Sequence, residues 1–311
     1  MTLKLDNTKR ETYTSCPRKY YLRFVLGLYP DKGSSALRYG VVWHDVMKDF
    51  YSHIKENGWI RDGGAVEAGI LAGKKSWEEY TGDKEFYPDY RTFENLCACF
   101  LQYIDNFAAD EGFMEVLEDE SLFQIETHWS NEFEEQIFPN LKPFLFTGKK
   151  DLTVKLNGQP WFLEHKTTGW ALAKKVQELH RSPQIMGYTY AGREEFFPEE
   201  PGGVLVVFHY FRATKSKKTG EYGKLAVNFE RVPQVFTNED LTNWRLSFLN
   251  TAEQIQQEMN RNLWPMGHDT CYRYGRCEFC NVCERNTSLA EIESKVPYGY
   301  YIDEPWDVTN N

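Results

Sequence analysis

Two strand-like segments joined by Asn157-Gly158 constrain the fold of this 311-residue chain more than any other feature. Residues 146–156 and 161–167 are rich in apolar and β-branched side chains, as strands are. An Asn-Gly pair between two such runs is a strong signal for a tight β-hairpin. The sequence therefore predicts a hairpin at the centre of the chain.

The hairpin brings two acidic residues and a lysine together. A two-residue loop places Asp151 directly opposite Glu164. Pro160 lacks an N–H donor and fits poorly inside a strand, so a four-residue loop, which places Asp151 opposite Lys166, is an alternative. Either even-length loop leaves Asp151, Glu164 and Lys166 on one face of the sheet, because side chains alternate with period two.

Together these three side chains could catalyse hydrolysis of a phosphodiester. Opposed carboxylates lie about 5 Å apart and repel unless a cation sits between them. Oxygen ligands suit Mg²⁺ or Mn²⁺, which activates water, and Lys166 adds positive charge where negative charge develops. The alternative is a salt-bridge ladder on the surface of the hairpin.

The remaining pattern predicts a mixed α/β fold with one central sheet. Helical spacing of apolar residues covers 39–54 and 93–107, and further helices are expected to begin at Ser182-Pro183 and near Thr237. Further strands are expected at 123–129, 204–211 and 224–232. We expect a single domain with a helical part (12–120), an α/β core (121–262), a cysteine segment (263–290) and a tail (291–311).

Composition limits the class of protein. Hydrophobic residues make up 41% of the chain, enough for a substantial core. No apolar run is long enough to span a membrane and the start of the chain lacks an apolar signal segment, so a cytoplasmic protein without a membrane partner is expected. The net charge of −10 counts mildly against non-specific binding of nucleic acid. Basic runs lie at 149–150, 174–175 and 212–218; singly, each is more typical of solvated surface.

The cysteines indicate a metal site. Four of the seven fall between residues 271 and 283, which in a cytosolic chain favours metal binding over disulfides. Thiolates at these spacings hold zinc or an iron–sulfur cluster. A zinc ion on Cys271, Cys277, Cys280 and Cys283 would need no further ligand, whereas Cys16 offers a fifth candidate.

Six segments in order resemble the RecB-like branch of the PD-(D/E)XK nuclease superfamily. They span residues 12–283 and are similar to CRISPR-associated iron–sulfur exonucleases and AddB-type nuclease domains. The segments are TSCPRKYYLRF, GVVWHDVMKDFY, GKKDLTV, FLEHKTT, QIMGY and the terminal cysteine group. The resemblance implies a restriction-endonuclease-like core, with a central mixed sheet flanked by helices.

The resemblance also implies roles for residues. It implies that metal is bound by His44, Asp151, Glu164 and the backbone carbonyl of His165. It implies a catalytic set of Asp151, Glu164, Lys166, Gln184 and Tyr188. The last two are four residues apart and share one helix face, matching the family's Q-x-x-x-Y motif. The side chain of His165 should point to the opposite face and be structural.

For the cysteines, the resemblance implies a 4Fe-4S cluster on Cys16, Cys271, Cys277 and Cys283, with Cys280 as the extra thiol and zinc as the other occupant. Such a cluster would join the two ends of the sequence across more than 250 residues beside the DNA entrance. Closing so long a loop removes several kcal/mol of unfolded-chain entropy, on the order of that for a disulfide.

The resulting hypothesis is a Mg²⁺- or Mn²⁺-dependent exonuclease acting on single-stranded or frayed DNA. Tyr20 and Tyr21 could stack bases, although core packing explains them equally well, and Glu126 is a weaker site candidate. The alternatives are a catalytically silent nucleic-acid-binding member and a zinc-stapled structural protein. Protein partners in recombination, CRISPR adaptation and phage DNA processing all stay open.

Overall fold

The computed structural model describes residues 2–59, 63–82, 86, 89–108, 110, 113–196, 201–272, 275–285 and 288–309. The chain forms two compact units, each built from separated stretches. The terminal unit comprises Met1–Lys32, Leu122–Gly148 and Asn238–Asn311. The hairpin unit comprises Gly33–Ser121 and Lys149–Thr237.

Helices and strands alternate along the chain. The helices are α1 (Asn7–Ser15), α2 (Pro17–Tyr20), α3 (Ser35–Asn57), α4 (Gly64–Thr81), α5 (Phe93–Asn106), α6 (Glu132–Ile137), α7 (Leu172–Leu179), α8 (Pro183–Phe196), α9 (Asn238–Arg261), α10 (Cys280–Glu284) and α11 (Leu289–Ser294). The strands are β1 (Lys4–Leu5), β2 (Leu28–Pro30), β3 (Met114–Glu118), β4 (Ser121–Thr127), β5 (Phe144–Lys150), β6 (Leu152–Leu156), β7 (Gln159–Thr168), β8 (Gly203–Arg212), β9 (Ala226–Gln234) and β10 (Tyr300–Ile302).

The mixed α/β prediction is confirmed, but the strands are shared among three sheets. The hairpin unit contains a five-stranded sheet in the order β3-β6-β7-β8-β9. Its strands are antiparallel except for β7 and β8, which run parallel and are connected through α7 and α8. The terminal unit contains the sheet β1-β5-β4 and the pair β10-β2.

The two-residue hairpin register is confirmed and the four-residue alternative is wrong. Leu156 pairs with Gln159 across the turn, and both turn residues have positive φ, 50° at Asn157 and 84° at Gly158. In this register Lys155 and Pro160 form a non-hydrogen-bonded pair. The missing N–H of Pro160 therefore costs the β6–β7 ladder no hydrogen bond.

The segment 146–156, expected as one strand, is broken at Asp151. β5 ends at Lys150 and β6 begins at Leu152, and the two strands belong to different sheets. The break coincides with the polar run Gly148-Lys149-Lys150-Asp151, which the sequence prediction included in one strand. Its consequence is that Asp151 stands alone at the junction, one step beyond the Leu152–Leu163 pair and therefore opposite Glu164.

Helices cover both faces of the β7 strand. α3 and α5 confirm the two predicted amphipathic helices, and their apolar stripes pack with Leu163 and Val207 in one buried core. On the other face α8 approaches closely, since a Cβ on Gly192 would lie only 2.7 Å from the Phe162 ring. Glu164, two residues beyond Phe162, thus points toward α8.

The start of α3 follows local rules. The Ser34 side chain caps the helix by accepting a hydrogen bond from the Leu37 N–H, and Gly58 ends it with a φ of 77°. Trp43 and Tyr39 are fully buried on its core face, and each such side chain contributes about 2–3 kcal/mol through burial. Within the described residues, no helix is both long and apolar enough to cross a membrane.

Candidate active site

Asp151 is fixed from two sides. Its Oδ1 atom lies 3.1 Å from Nδ1 of His44 on α3, and its Oδ2 atom accepts a hydrogen bond of 2.8 Å from the backbone N–H of His165 on β7. The carboxylate is mostly buried, whereas the His44 ring is one-third exposed. The α3 helix and the β7 strand therefore set the orientation of one carboxylate between them.

Glu164 and Lys166 meet through Gln184. The Lys166 ammonium donates to Glu164 Oε1 at 2.6 Å and to Gln184 Oε1 at 2.6 Å. The Gln184 amide in turn donates to Glu164 Oε1 at 3.1 Å. One amide thus holds both the lysine and the glutamate, which alternation along β7 places on the same face.

Tyr188 completes this network from the next turn of α8. Its hydroxyl accepts a hydrogen bond of 3.0 Å from the Gln184 amide and donates one of 2.8 Å to the backbone carbonyl of Lys149. The i, i+4 spacing puts both α8 side chains on the face that looks toward β7. Tyr188 therefore ties Gln184 to the chain just before Asp151.

The pKa values of Glu164 and Asp151 are shifted in opposite directions. Burial and the nearby charge of Asp151 raise the pKa of Glu164, in spite of Lys166. For Asp151, burial acts to raise the pKa, but attraction to His44 together with the His165 N–H outweighs it and lowers the pKa. Two acidic groups this close both ionise readily only when positive charge lies between them.

The donor set fits a hard divalent cation. His44 contacts Asp151, which lies opposite Glu164, and a bound cation would offset the burial and the Asp151 charge that raise the pKa of Glu164. Across the described ranges, however, no group of three or more His, Cys, Asp or Glu side chains is arranged to hold a metal ion. Asp151 and Glu164 take His44, the His165 N–H, Lys166 and Gln184 as their partners.

Comparison with known proteins identifies the family. The sequence model of the PD-(D/E)XK nuclease superfamily matches residues 7–284, most of the chain. The chain belongs to the PD-(D/E)XK nuclease superfamily. No curated protein matches it.

A solved structure described as "Crystal structure of SSO0001" is similar to this superfamily member. It has 11% sequence identity and a TM-score of 0.30, covering 79% of this chain and 86% of its own. A score this low supports no conclusion about fold or function.

The reverse face of β7 in this PD-(D/E)XK protein carries a buried histidine pair. As expected, the His165 side chain points away from Glu164; its Nδ1 lies 2.8 Å from Nε2 of His209 on β8. Burial lowers the pKa of His165 to about 3 and that of His209 well below 6.5. Sequence reasoning missed His209, because nothing in its apolar strand marks it as a partner of His165.

A second group that sequence reasoning missed lies beside Asp151. Glu120 binds Lys48 at 2.9 Å and Lys149 at 2.7 Å. Lys48 is one helical turn beyond His44, a spacing that could have been noticed. Lys150, expected at most as part of a basic patch, is instead buried and binds Glu195 at 2.6 Å.

The terminal unit brings five cysteines to one cavity. Cys16, Cys271, Cys277, Cys280 and Cys283 line a cavity of about 300 Å³. Phe279, the aromatic residue between the last cysteines, is buried against Tyr300. Burial raises the pKa of Cys283 to about 11, so a thiolate there at neutral pH requires a nearby positive charge.

The Cys16 sulfur lies among backbone hydrogen-bond donors. Its Sγ atom accepts hydrogen bonds from the backbone N–H groups of Lys19, at 3.4 Å, and Gly267, at 3.2 Å. Gly267 must be glycine, because a Cβ there would lie 2.3 Å from the Ser15 carbonyl oxygen. Such N–H donors stabilise thiolate ligands, so the chemistry of the cavity fits a thiolate-bound centre.

Tyr20, Tyr21 and Glu126 are the weaker candidates that the sequence offered for the site. Tyr20 and Tyr21 are buried and pack on Trp264, so the core interpretation of these aromatics is confirmed. The Tyr21 hydroxyl donates to Glu293. Glu126 is exposed on β4.

Proposed function

We propose that this protein is a Mg²⁺- or Mn²⁺-dependent deoxyribonuclease that degrades single-stranded or frayed DNA from an end. The observation that supports this is the hydrogen-bonded set of Glu164, Lys166 and Gln184 beside Asp151. Membership of the nuclease superfamily supplies the reaction class. A silent binding protein would not need two carboxylates buried beside a lysine.

His44, Asp151, Glu164 and the His165 carbonyl would hold the cation. When bound, it would activate water and neutralise charge on the phosphodiester. Lys166 presents its ammonium where negative charge develops in the transition state. Gln184 keeps that ammonium in place, and Tyr188 fixes Gln184 in turn.

We also propose a 4Fe-4S cluster on Cys16, Cys271, Cys277 and Cys283. The shared cavity and the N–H donors to Cys16 support a thiolate centre, and zinc is the competing occupant. The family match runs through both compact units, which supports one nuclease domain working as a whole.

The test compares degradation of end-labelled linear single-stranded DNA by the wild type and Asp151→Asn, with Mn²⁺ and with EDTA. Asp105→Asn, an exposed aspartate on α5, is the matched control. We expect the wild type and Asp105→Asn to degrade the strand only with Mn²⁺. Asp151→Asn should be slower by about a thousandfold or more, since removing a central catalytic group costs that much.

A circular strand of the same sequence tests the requirement for an end. An exonuclease leaves the circle intact while it degrades the linear strand. Cleavage of both would replace the exonuclease with an endonuclease. A folded wild type that cleaves neither with Mn²⁺ would leave the silent binding protein as the better account.

A further inference from the structure

A large exposed aromatic follows the strand that carries Glu164 and Lys166. Trp170 is 64% exposed, and its backbone N–H donates to the Thr168 hydroxyl at 3.0 Å. Thr168 lies on the same face of β7 as Glu164 and Lys166. Trp170 comes four positions after Lys166, so their Cα atoms lie at most about 13 Å apart.

Further rings extend from Trp170 to the β8–β9 connection. A Cβ on Gly169 would lie 3.1 Å from the Tyr90 hydroxyl, which places Tyr90 directly beside this segment. The Tyr90 and Tyr222 ring centroids are 5.5 Å apart, and the Lys215 ammonium lies 5.4 Å from the Tyr222 ring. Tyr222 is 37% exposed, so aromatic surface continues outward from Trp170.

The β8–β9 connection is the strongly basic surface next to these rings. Together with Arg212, the last residue of β8, it contains one acidic residue, Glu221, and a larger set of exposed cations. The cations are Arg212, Lys215, Lys217, Lys218 and Lys224. Residues 212–224 therefore carry a net charge of +4 in a chain whose net charge is −10.

Arg212 links this charge to the sheet. Thr168, the last residue of β7, pairs with Tyr210, and Arg212 is the last residue of β8. A Cβ on Gly169 would lie 3.6 Å from the Phe211 carbonyl oxygen, so the segment that leads from β7 to Trp170 begins beside the end of β8. Asp89, the neighbour of Tyr90 in sequence, is paired with Arg91.

We propose that Trp170, Tyr90, Tyr222, Arg212 and Lys215, named the Trp170 platform, bind unpaired DNA: bases stack on the rings and phosphates meet the cations. Rings next to cations are how proteins hold single strands without reading sequence. A duplex hides the faces of its bases, whereas a frayed strand exposes them. The inference rests on the proposed function, because the platform would lead a strand toward Lys166.

The test measures binding by fluorescence anisotropy, with EDTA present to prevent cleavage. The probes are a labelled single strand of about fifteen nucleotides and a blunt duplex of the same sequence. We expect Trp170→Ala to weaken single-strand binding about tenfold, with little change for the duplex, and Trp170→Phe to restore most of it. Tyr298→Ala, which removes a 95%-exposed ring from the terminal unit, is the control and should bind like the wild type.

The contribution of the cations to DNA binding is tested with one double variant in the platform and one control double variant. Arg212→Gln/Lys215→Gln should lower the slope of log K against log salt by about 1 to 1.5, since each phosphate contact on a single strand contributes about 0.7. Lys74→Gln/Lys75→Gln on α4 removes two exposed lysines outside the platform and should leave the slope unchanged.

The proposed platform is wrong if Trp170→Ala binds the single strand like the wild type, or if it loses affinity for the single strand and the duplex equally. A tighter complex with RNA of the same sequence would also overturn the DNA assignment. Binding is measured without cleavage. A wild type that binds DNA through the platform but never cleaves it would therefore contradict the proposed nuclease activity and leave the platform supported.

Discussion

His209 acts through a neighbour and not directly on the site. It holds the His165 ring on the reverse face of β7, and the backbone N–H of His165 holds Asp151. Trp43, which precedes His44 on α3, packs on His209 with ring centroids 4.3 Å apart. Of the two partners of the Asp151 carboxylate, His44 is thus adjacent in sequence to Trp43, and His165 itself contacts His209.

We predict that His209→Leu weakens Mn²⁺ binding by about three- to tenfold, because loss of a supporting hydrogen bond loosens the ligands it orients. Electron paramagnetic resonance of free Mn²⁺ gives the dissociation constant directly. His209→Gln should recover much of the affinity, since its amide can reach the position of the imidazole Nε2. Equal loss of affinity in Val204→Ala, which removes bulk from the same strand, would show that the effect is only structural.

Asp6 is buried at the start of α1, where its side chain accepts a hydrogen bond of 2.8 Å from the Lys9 N–H. Burial raises its pKa to about 6, in spite of the attraction of Lys9. A carboxyl whose pKa is higher in the folded state stabilises the fold when protonated. Its contribution is complete below about pH 4 and is lost as the pH rises through 6.

Asp6→Asn should therefore raise the free energy of unfolding at pH 7.5 by about 1–3 kcal/mol, while keeping the helix cap. The gain should shrink toward zero as the pH falls to 4. Urea unfolding of both proteins at several pH values measures it, with Asp105→Asn as the exposed control. A gain that is constant with pH would contradict the raised pKa.

At the scale of elements, the β6–β7 hairpin sets the geometry of the site. Its turn has left-handed backbone at Asn157 and Gly158, as a two-residue turn that matches the strand twist requires. The register fixed there carries through to Asp151 and Glu164. The turn and the alternation are local properties, which is why sequence alone predicted them.

Gly158→Val should lower the free energy of unfolding by about 1–2 kcal/mol, because a β-branched residue is strained at a φ of 84°. Nothing lies within 4 Å of the new Cβ, so the cost comes from the backbone alone. Gly223→Val, in the β8–β9 connection without a positive φ, is the control for thermal and urea unfolding. Equal stability of the two variants would refute the turn assignment.

At the scale of the whole molecule, the cysteine cavity joins residues from both ends of the sequence. Cys16 contributes from the start of α2, and the other four come from the segment that ends in α10. A cluster bound there would close the chain between Cys16 and Cys271. Such a closure stabilises by several kcal/mol, on the order of that for a disulfide spanning a long loop.

We predict that Cys283→Ser, purified without air, loses iron, sulfide and brown colour and unfolds at a clearly lower temperature. Cys97→Ser on α5 should keep all four properties. Cys280→Ser should also keep the cluster, whereas Cys271→Ser should not. Zinc in a colourless wild type would reject the iron–sulfur assignment and keep the thiolate site.

Sequence by itself determined the hairpin, the shared face of Asp151, Glu164 and Lys166, and the Gln184–Tyr188 pair on one helix face. Turn chemistry and the periods of strand and helix act over a few residues, so a pattern can show them. Family resemblance added a metal-binding role for His44 and selected Cys16 among the five candidate thiols, because no local pattern connects either residue to the others.

Only the tertiary structure decided the break at Asp151, the contact of Gln184 with both Lys166 and Glu164, and the histidine pair behind β7. It also gathered five cysteines around one cavity and set Tyr90 between Gly169 and Tyr222 of the β8–β9 connection. These arrangements join residues far apart in sequence. They depend on how helices and sheets pack, which no local period records.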